Sequence, residues 1–389
     1  MSLSNITLSA SVRQNLLSLQ GTADLLATTQ GRLATGKKVN SALDNPTNFF
    51  TAAGLDSRAS DISNLLDSIG NGVQVLQAAN TGITSLSKLV DTAKSIANQV
   101  LQQPSGYSAK STVTSAAALG GTAANLVDGA TIKSGQTIIV AANGSLPALT
   151  VTIGASESLD QLNTALAAGN LTASLDSANK LVITTTNDYA SSTIGAVTVG
   201  STPGTASFGA AVAPVADAVS QATRASLVSQ YNQILTQITT TAQDASFNGI
   251  NLLNGDTLKL VFDETGKSTS TITGVTFSPA GLGLAALASG TDFLDNFSTN
   301  SVLTKLNTAS ITLRAQASAF GANLSIVQIR QDFNKNIINV LQTGSSALTL
   351  ADSNEEAANS QALSTRQSIA TSALSLANQS QQSVLQLLR

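Results

Sequence analysis

Three short segments of the sequence carry residues that could do chemistry. Gly266–Ser268 has the Gly-Lys-Ser ending of a phosphate-binding P-loop, but the first glycine of that motif would fall at Val261, so we expect a hairpin turn. Gly281–Ala286 fits the loose dinucleotide-binding pattern but opens no βαβ unit, which favours a connecting loop. Glu355 and Glu356 could act as paired acid–base carboxylates, although they are better placed to begin a helix, where negative charge is favourable.

The composition removes most of the groups that catalysis needs. The 389 residues include no histidine and no cysteine, which excludes thiolate nucleophiles, disulfides, Ser-His-Asp triads and histidine–zinc sites. Charged residues make up 11% of the chain, against about 25% in ordinary soluble domains. We therefore expect no enzyme activity and no catalytic, cofactor-binding or metal-binding residue.

Charge and hydropathy also narrow the range of partners. The chain has 19 Lys and Arg against 22 Asp and Glu, a net charge of −3, whereas nucleic-acid binding needs clustered positive charge. No run of 18 apolar residues could span a membrane, and the first residues lack the pattern of a secretory signal. We expect neither nucleic acid nor membrane as a partner, and either a cytoplasmic location or export without a cleaved signal.

The N-terminal part shows the 4/3 spacing of coiled-coil helices. Two runs are separated by a predicted linker at about 36–46, which contains Gly36 and Pro46. The first run is Val12, Leu16, Leu19, Ala23, Leu26 and Leu33, with Gln30 in the polar slot. The second run is Ile62, Leu66, Ile69, Val73, Leu76, Asn80 and Ile83.

The C-terminal part has the same spacing, with a predicted break at Gly344–Ser346. Its last apolar stripe continues to the final residues, which is unusual because chain ends normally fray. The longer run is Leu306, Ser310, Leu313, Ala317, Phe320, Leu324, Val327, Gln331, Asn334, Ile338 and Leu341. The final run is Leu363, Gln367, Ala370, Leu374, Ala377, Gln381, Val384 and Leu388.

The middle of the chain changes to a period of two, which predicts strands. Strands are expected at 137–140, 149–153, 171–175 and 180–185, with one helix at 158–168 and a later hairpin near 258–275. The predicted fold class is α+β, mainly α. Long antiparallel coiled-coil helices from both chain ends would form a rod, with a small β hairpin and an inserted α+β outer domain.

Several motifs resemble those of bacterial flagellin, the subunit of the flagellar filament. Leu33–Ala42 is similar to the segment that joins the innermost helix to the rod, and Phe247–Gly255 to the segment before the hairpin. The strongest resemblance is Ala351–Ala358, continued by Ala373–Gln379. The segment Asp44–Phe50 is similar to the alphaproteobacterial branch.

The resemblance implies a structural subunit that is exported unfolded by the flagellar type III apparatus and polymerises outside the cell for motility. Residues 1–40 and 350–389 would form inner terminal helices, 41–103 and 215–349 the helical rod, and 104–214 the inserted outer domain. Partners would be further copies of the chain, an export chaperone, and cap and hook-junction proteins. The expected subunit-interface residues are Leu16, Leu19, Leu26, Leu33, Leu363, Leu374, Val384 and Leu388.

The sequence departs from the family in two places. The insert lies between the first two rod helices, whereas many flagellins place it after the hairpin. The stretch that an innate immune receptor recognises in the family carries Lys88, Asp91 and Lys94 here, so we expect weak or no recognition. Two alternatives remain open at this point: a hook–filament junction protein, and a secreted monomeric adhesin.

Overall fold

The computed structural model describes residues 10–200 and 207–387 of the chain. Within these ranges the order of elements is helix, helix, inserted strands, helix, hairpin, helix, helix, as predicted. The helices are α1 (Ala10–Thr35), α2 (Pro46–Gln102), α3 (Leu159–Leu166), α4 (Ala218–Asp244), α5 (Asn296–Thr349) and α6 (Ser353–Leu387). The strands are β1 (Tyr107–Ala109), β2 (Thr112–Thr114), β3 (Thr137–Val140), β4 (Leu149–Thr152), β5 (Leu171–Leu175), β6 (Leu181–Thr185), β7 (Val197–Gly200), β8 (Val215–Ala216), β9 (Thr257–Val261) and β10 (Thr269–Thr273).

The chain divides into two compact units, each built from separate segments. The first unit contains the described residues up to Gly70, Leu260–Ser270, and the residues from Val327 onward. It therefore holds α1, α6, the beginning of α2 and the end of α5. The second unit contains the described residues of Asn71–Lys259 and Thr271–Ile326.

The 4/3 stripes predicted for α2 and α5 are the buried sides of these helices. Ile62, Ile69 and Leu76 of α2 are buried, and the stripe continues beyond the predicted run to Val100. Residues spaced by 4 and 3 positions lie on the same side of a helix, so a single packing partner can bury the whole stripe. The residues of the α5 run that are buried are Leu306, Ser310, Leu313, Phe320, Val327, Asn334 and Leu341.

The predicted break at Gly344–Ser346 is wrong, because α5 continues without interruption to Thr349. The chain leaves the helix only at Leu350–Asp352. Ser345 is buried, and a Cβ added to Gly344 would lie 3.5 Å from the Leu55 side chain. Tertiary packing of this segment thus outweighs the weak helix propensity of glycine and serine.

The tip of the β9–β10 hairpin is anchored within the first unit. The carbonyl oxygen of Phe262 accepts a hydrogen bond from Asn334 Nδ2 at 2.9 Å, and the Arg330 guanidinium lies 5.7 Å from the Phe262 ring centre. Arg58 Nε lies 2.6 Å from Glu264 Oε1. The hairpin predicted near 258–275 is confirmed, with strands at Thr257–Val261 and Thr269–Thr273.

The insert has a core of its own, formed by α3 and two three-stranded antiparallel sheets ordered β2-β6-β5 and β4-β3-β7. The four strands and the helix predicted from the sequence are confirmed as β3, β4, β5, β6 and α3. Ser158 and Gln161 form a capping box that begins α3. β1, β2 and β8 were not predicted, because runs of two or three residues carry too little periodicity, and the four-residue β7 was missed as well.

One carboxylate organises a loop of the insert. Asp128 accepts hydrogen bonds from the backbone N–H groups of Gly120, Ala130, Thr131 and Ile132. Burial alone would raise the pKa of this carboxyl, but the four donors outweigh that effect and lower it to about 2. The loop is thus held by a charged side chain that stays ionised at neutral pH.

The start of α5 receives a loop of the insert. The Tyr189 and Phe297 rings stack with centres 4.6 Å apart, and Asn296 Nδ2 donates to Asp188 Oδ1 at 3.0 Å. The hydroxyl of Ser191 donates to the buried carboxylate of Asp295. These contacts join the insert to the helical part of the second unit.

Gly82 marks a close approach between α2 and the segment after α4. A Cβ at this position would lie 2.5 Å from Leu253 Cδ1 and 2.6 Å from Ala245 Cβ. We expect Gly82→Ala to destabilise the second unit by about 1–3 kcal/mol through overpacking. The measurement is the urea midpoint of the unpolymerised chain, followed by far-UV circular dichroism.

Gly321→Ala is the matched control, because Gly321 also lies within a helix but has nothing within 4 Å of the added Cβ. This substitution should stabilise the chain by about 0.5–1 kcal/mol through helix propensity alone. Equal effects of the two substitutions would show that the contact at Gly82 imposes no constraint.

Candidate subunit-interface surface

α1 and α6 pack against each other, and the predicted α6 stripe from Leu363 to Ala377 is the half-buried side of the helix. Leu363 and Leu374, two of the expected interface residues, are half-buried, whereas most of their neighbours on α6 are exposed. The remaining half-buried positions of the stripe are Gln367, Ala370 and Ala377. The 4/3 spacing therefore identified the side of α6 that meets its partner helix.

The seam of α1 is shifted by about one residue from the predicted stripe. Leu19 and Leu26 are half-buried, but Leu16 and Leu33 remain 36% and 43% exposed. Thr29 is buried, whereas Gln30, predicted to occupy the seam, is exposed. Small polar residues that the hydrophobic pattern does not highlight thus take part in this contact.

The last two expected interface residues lie at the C-terminal end of the chain. Val384 lies within α6, but its side chain is outside the described residues, and Leu388 lies outside them altogether. Their role at an interface stays a prediction.

A second apolar stripe on α6 was missed by the sequence reasoning. Ile369 and Leu376 are 64% and 69% exposed. They lie in a shallow groove lined by Thr365, Ser368, Ile369, Ser372, Ala373 and Leu376. With 100° per residue, this groove falls on the side of α6 roughly opposite the α1 seam. The 4/3 spacing of Thr365, Ile369, Ser372 and Leu376 could have revealed it, but serine and threonine weaken the hydrophobic signal.

Other helices of the first unit also expose apolar side chains. Leu17 on α1 points away from the seam, and Ile329, Phe333 and Val340 form an exposed 4/7-spaced row on α5. Monomeric proteins rarely leave several such rows open to water. This part of the chain therefore offers more apolar surface than its own described residues cover.

The segment between α1 and α2 is ordered by local hydrogen bonds. Asp44 Oδ2 accepts from the backbone N–H groups of Ser41 at 2.8 Å and Asn40 at 2.9 Å. These bonds lower the pKa of the Asp44 carboxyl below its ordinary value. Lys37 forms an isolated antiparallel bridge with Leu350, so the segment just after α1 is tied to the segment just before α6.

Charges are sparse on this surface. Among the residues that the structure describes there are three ion pairs, and Arg32 with Glu356 is the pair that joins α1 to α6. A surface with few charges can be covered by another protein without stranding an ion in a dry contact. Low charge thus suits repeated packing of this face.

The segments that could have done chemistry have structural roles. The Gly266–Ser268 backbone closes the hairpin turn, where Asp263 Oδ1 accepts from the Ser268 N–H at 2.8 Å. A short 3₁₀ turn occupies Ala280–Leu282, and Glu355 and Glu356 lie in the first turn of α6, as predicted. The described ranges contain no cluster of acidic residues able to hold a metal ion, and none of their helices could cross a membrane.

Comparisons with known proteins agree with the motifs at both ends of the chain. The family model of the bacterial flagellin N-terminal helical region matches residues 5–131, and that of the C-terminal helical region matches residues 303–388. The flagellins FljM and FljK of Caulobacter vibrioides are 32% and 30% identical to the chain over 164 residues. These matches cover 42% of this chain and 59% of each relative.

Proposed function

Because the chain belongs to the bacterial flagellin family, we propose that it is a structural subunit that polymerises into a flagellar filament for motility. The observation that carries this proposal is the apolar stripe around Ile369 and Leu376, which α1 leaves exposed. Flagellins are a structural protein family, so the chain is not an enzyme.

Polymerisation would stabilise the terminal helices by covering this stripe. The α1–α6 seam is rich in Ala, Ser, Thr and Gln, so it buries little apolar area at about 25 cal/mol per Å². Neighbouring copies would supply the missing apolar contacts, and a binding event that selects the paired helices stabilises them by mass action. Helicity should therefore rise as filaments grow.

The finer assignments extend the same proposal. Residues 1–40 with 350–389 would form the inner layer of the filament, 41–103 with 215–349 its shell, and 104–214 an outer domain. Export would proceed unfolded through the flagellar type III apparatus to an extracellular filament. A chaperone, a cap protein and hook-junction proteins would be partners during export and assembly.

Weak recognition by an innate immune receptor is part of the proposal. Lys88 and Asp91 are exposed on α2 and Lys94 is half-buried, so this stretch offers a mixture of charges rather than a basic patch. A receptor-reporter assay with the unpolymerised chain should give little activation. Strong activation would contradict this assignment without affecting the filament proposal.

The test of the main proposal is seeded polymerisation, followed by negative-stain microscopy. The full chain should extend short filament seeds into long uniform tubes, and a chain without residues 350–389 should not. A chain that stays monomeric by light scattering in the presence of seeds would contradict the proposal.

A deletion of the insert distinguishes a filament subunit from a monomeric adhesin. The comparisons do not favour the adhesin. β1 and β8 pair antiparallel at the base of the insert, with Ala109 opposite Val215, so residues 110–214 can be replaced by an Asn-Gly turn. A filament subunit should still polymerise after this replacement, whereas an adhesin that binds through the insert would lose its activity.

A further inference from the structure

Arg32 and Glu356 meet across the α1–α6 pair, close to the bridge between Lys37 and Leu350. Arg32 Nη1 lies 3.2 Å from Glu356 Oε1. The Glu356 side chain is only 10% exposed, and its Oε2 has no hydrogen-bond partner among the described residues. Arg32 is thus the positive charge on which this buried carboxylate depends.

The apolar seam by itself leaves the axial alignment of the helices ambiguous. Apolar residues recur at intervals of seven on the seam side of α1, at the buried Val12 and the half-buried Leu19 and Leu26. Leu363 and Ala370 keep the same interval on α6. A shift of one helix by seven residues would still place apolar residues opposite apolar residues, so the seam distinguishes poorly between alignments.

The ion pair resolves this ambiguity because it exists in one alignment only. Any shift by a heptad separates Glu356 from Arg32 and leaves a carboxylate buried without its positive partner, which is strongly unfavourable. A single polar position is the best-attested way in which helix pairs fix their alignment.

We propose that the Arg32–Glu356 ion pair is a positioning element that sets the axial register of α1 against α6, while the Lys37–Leu350 bridge ties the same end. The register concerns a single chain. Its consequence for the filament rests on the proposed function, because copies paired in different registers would present different outer stripes to their neighbours.

The experiment uses disulfide cross-linking in the full chain, which contains no cysteine of its own. Leu26 lies six residues before Arg32 on α1 and Leu363 lies seven residues after Glu356 on α6, so the antiparallel helices bring the two positions to nearly the same level. Leu26→Cys with Leu363→Cys reports the observed register, and Leu26→Cys with Ala370→Cys reports a one-heptad shift. The readout is the yield of the Leu26→Cys with Leu363→Cys cross-link divided by the yield of the Leu26→Cys with Ala370→Cys cross-link, both after mild oxidation.

Arg32→Gln should lower this ratio at least about tenfold. A factor of ten corresponds to an interaction energy between Arg32 and Glu356 that is usual for residues in contact. Arg32→Lys should retain most of it, because the positive charge is preserved. Arg13→Gln is the matched control, since Arg13 is an exposed arginine of the same helix, and it should leave the ratio unchanged.

Two results would overturn the inference. One is an Arg32→Gln ratio equal to that of the unsubstituted background. The other is an equal loss of both cross-links, which would indicate unpairing rather than a shifted register. Polymerisation is measured separately, by sedimentation of the same samples. A chain that shows the expected cross-linking ratios but forms no filaments would support the register inference and contradict only the proposed function.

Discussion

Replacing Ile369 and Leu376 together by glutamate is expected to abolish filament growth while leaving the α1–α6 pair intact. Both side chains project from α6 on the side away from α1, so the new charges remain in water in the free chain. In a filament they would be buried, at several kilocalories per mole for each unpaired charge. Since 1.4 kcal/mol corresponds to a factor of ten, the critical concentration should rise at least about 1,000-fold.

Ser364→Glu with Thr371→Glu is the matched control for this prediction. It adds the same charge to the same helix at the same seven-residue spacing, but at exposed positions that do not line the groove. The critical concentration is measured by sedimentation of seeded samples, and helicity by circular dichroism. If filaments of the Ile369 and Leu376 variant grow normally, or if the control raises the critical concentration equally, the stripe is not a subunit interface.

Replacing Arg224 by methionine is expected to produce the largest loss of stability in the second unit. Arg224 is 1% exposed, and its guanidinium donates to the carbonyl oxygens of Pro104 at 2.8 Å, Gln103 at 3.1 Å and Phe293. Asp295 also attracts it electrostatically. Methionine fills a similar volume but leaves these acceptors unpaired, at a cost of about 3–5 kcal/mol.

The stability of the second unit can be followed by hydrogen exchange of the α4 amides in increasing urea. Arg314→Met is the control, because Arg314 is an exposed arginine of the same unit, and it should change stability by less than about 0.5 kcal/mol. If the two variants lose protection at the same urea concentration, the three carbonyl contacts do not hold the unit together.

Much of the helical architecture could be predicted because a coiled-coil stripe is a local property of the sequence. Ile62, Ile69 and Leu76 repeat with the period of a helix, and they are buried wherever that helix finds a partner. The hairpin and the larger strands of the insert followed from the period of two in the same way. The misplaced break at Gly344–Ser346 shows the limit, because packing around Ser345 overrode local propensity.

Hydrophobic spacing predicted only part of the candidate interface. Leu363 and Leu374 were predicted at a subunit interface, but they are half-buried on the side of α6 that meets α1, whereas Ile369 and Leu376 are large apolar side chains that stay exposed on the described part of α6. Hydrophobic spacing predicts which residues are stabilised by burial, but it does not predict which partner buries them. The outer stripe also contains serine and threonine, so its apolar character emerges only from its exposure on the folded helix.

The scarcity of chemistry-bearing residues and the period of the stripes are determined by the sequence alone, because composition and spacing need no fold. The phase of the α1 seam, the ion pair and the buried arginine were decided by tertiary structure. Arg32 and Glu356 stand 324 positions apart, and Arg224 bonds a carbonyl 121 positions away. Such contacts depend on which helix faces give the best combined packing of distant segments, and no local pattern in the chain encodes that choice.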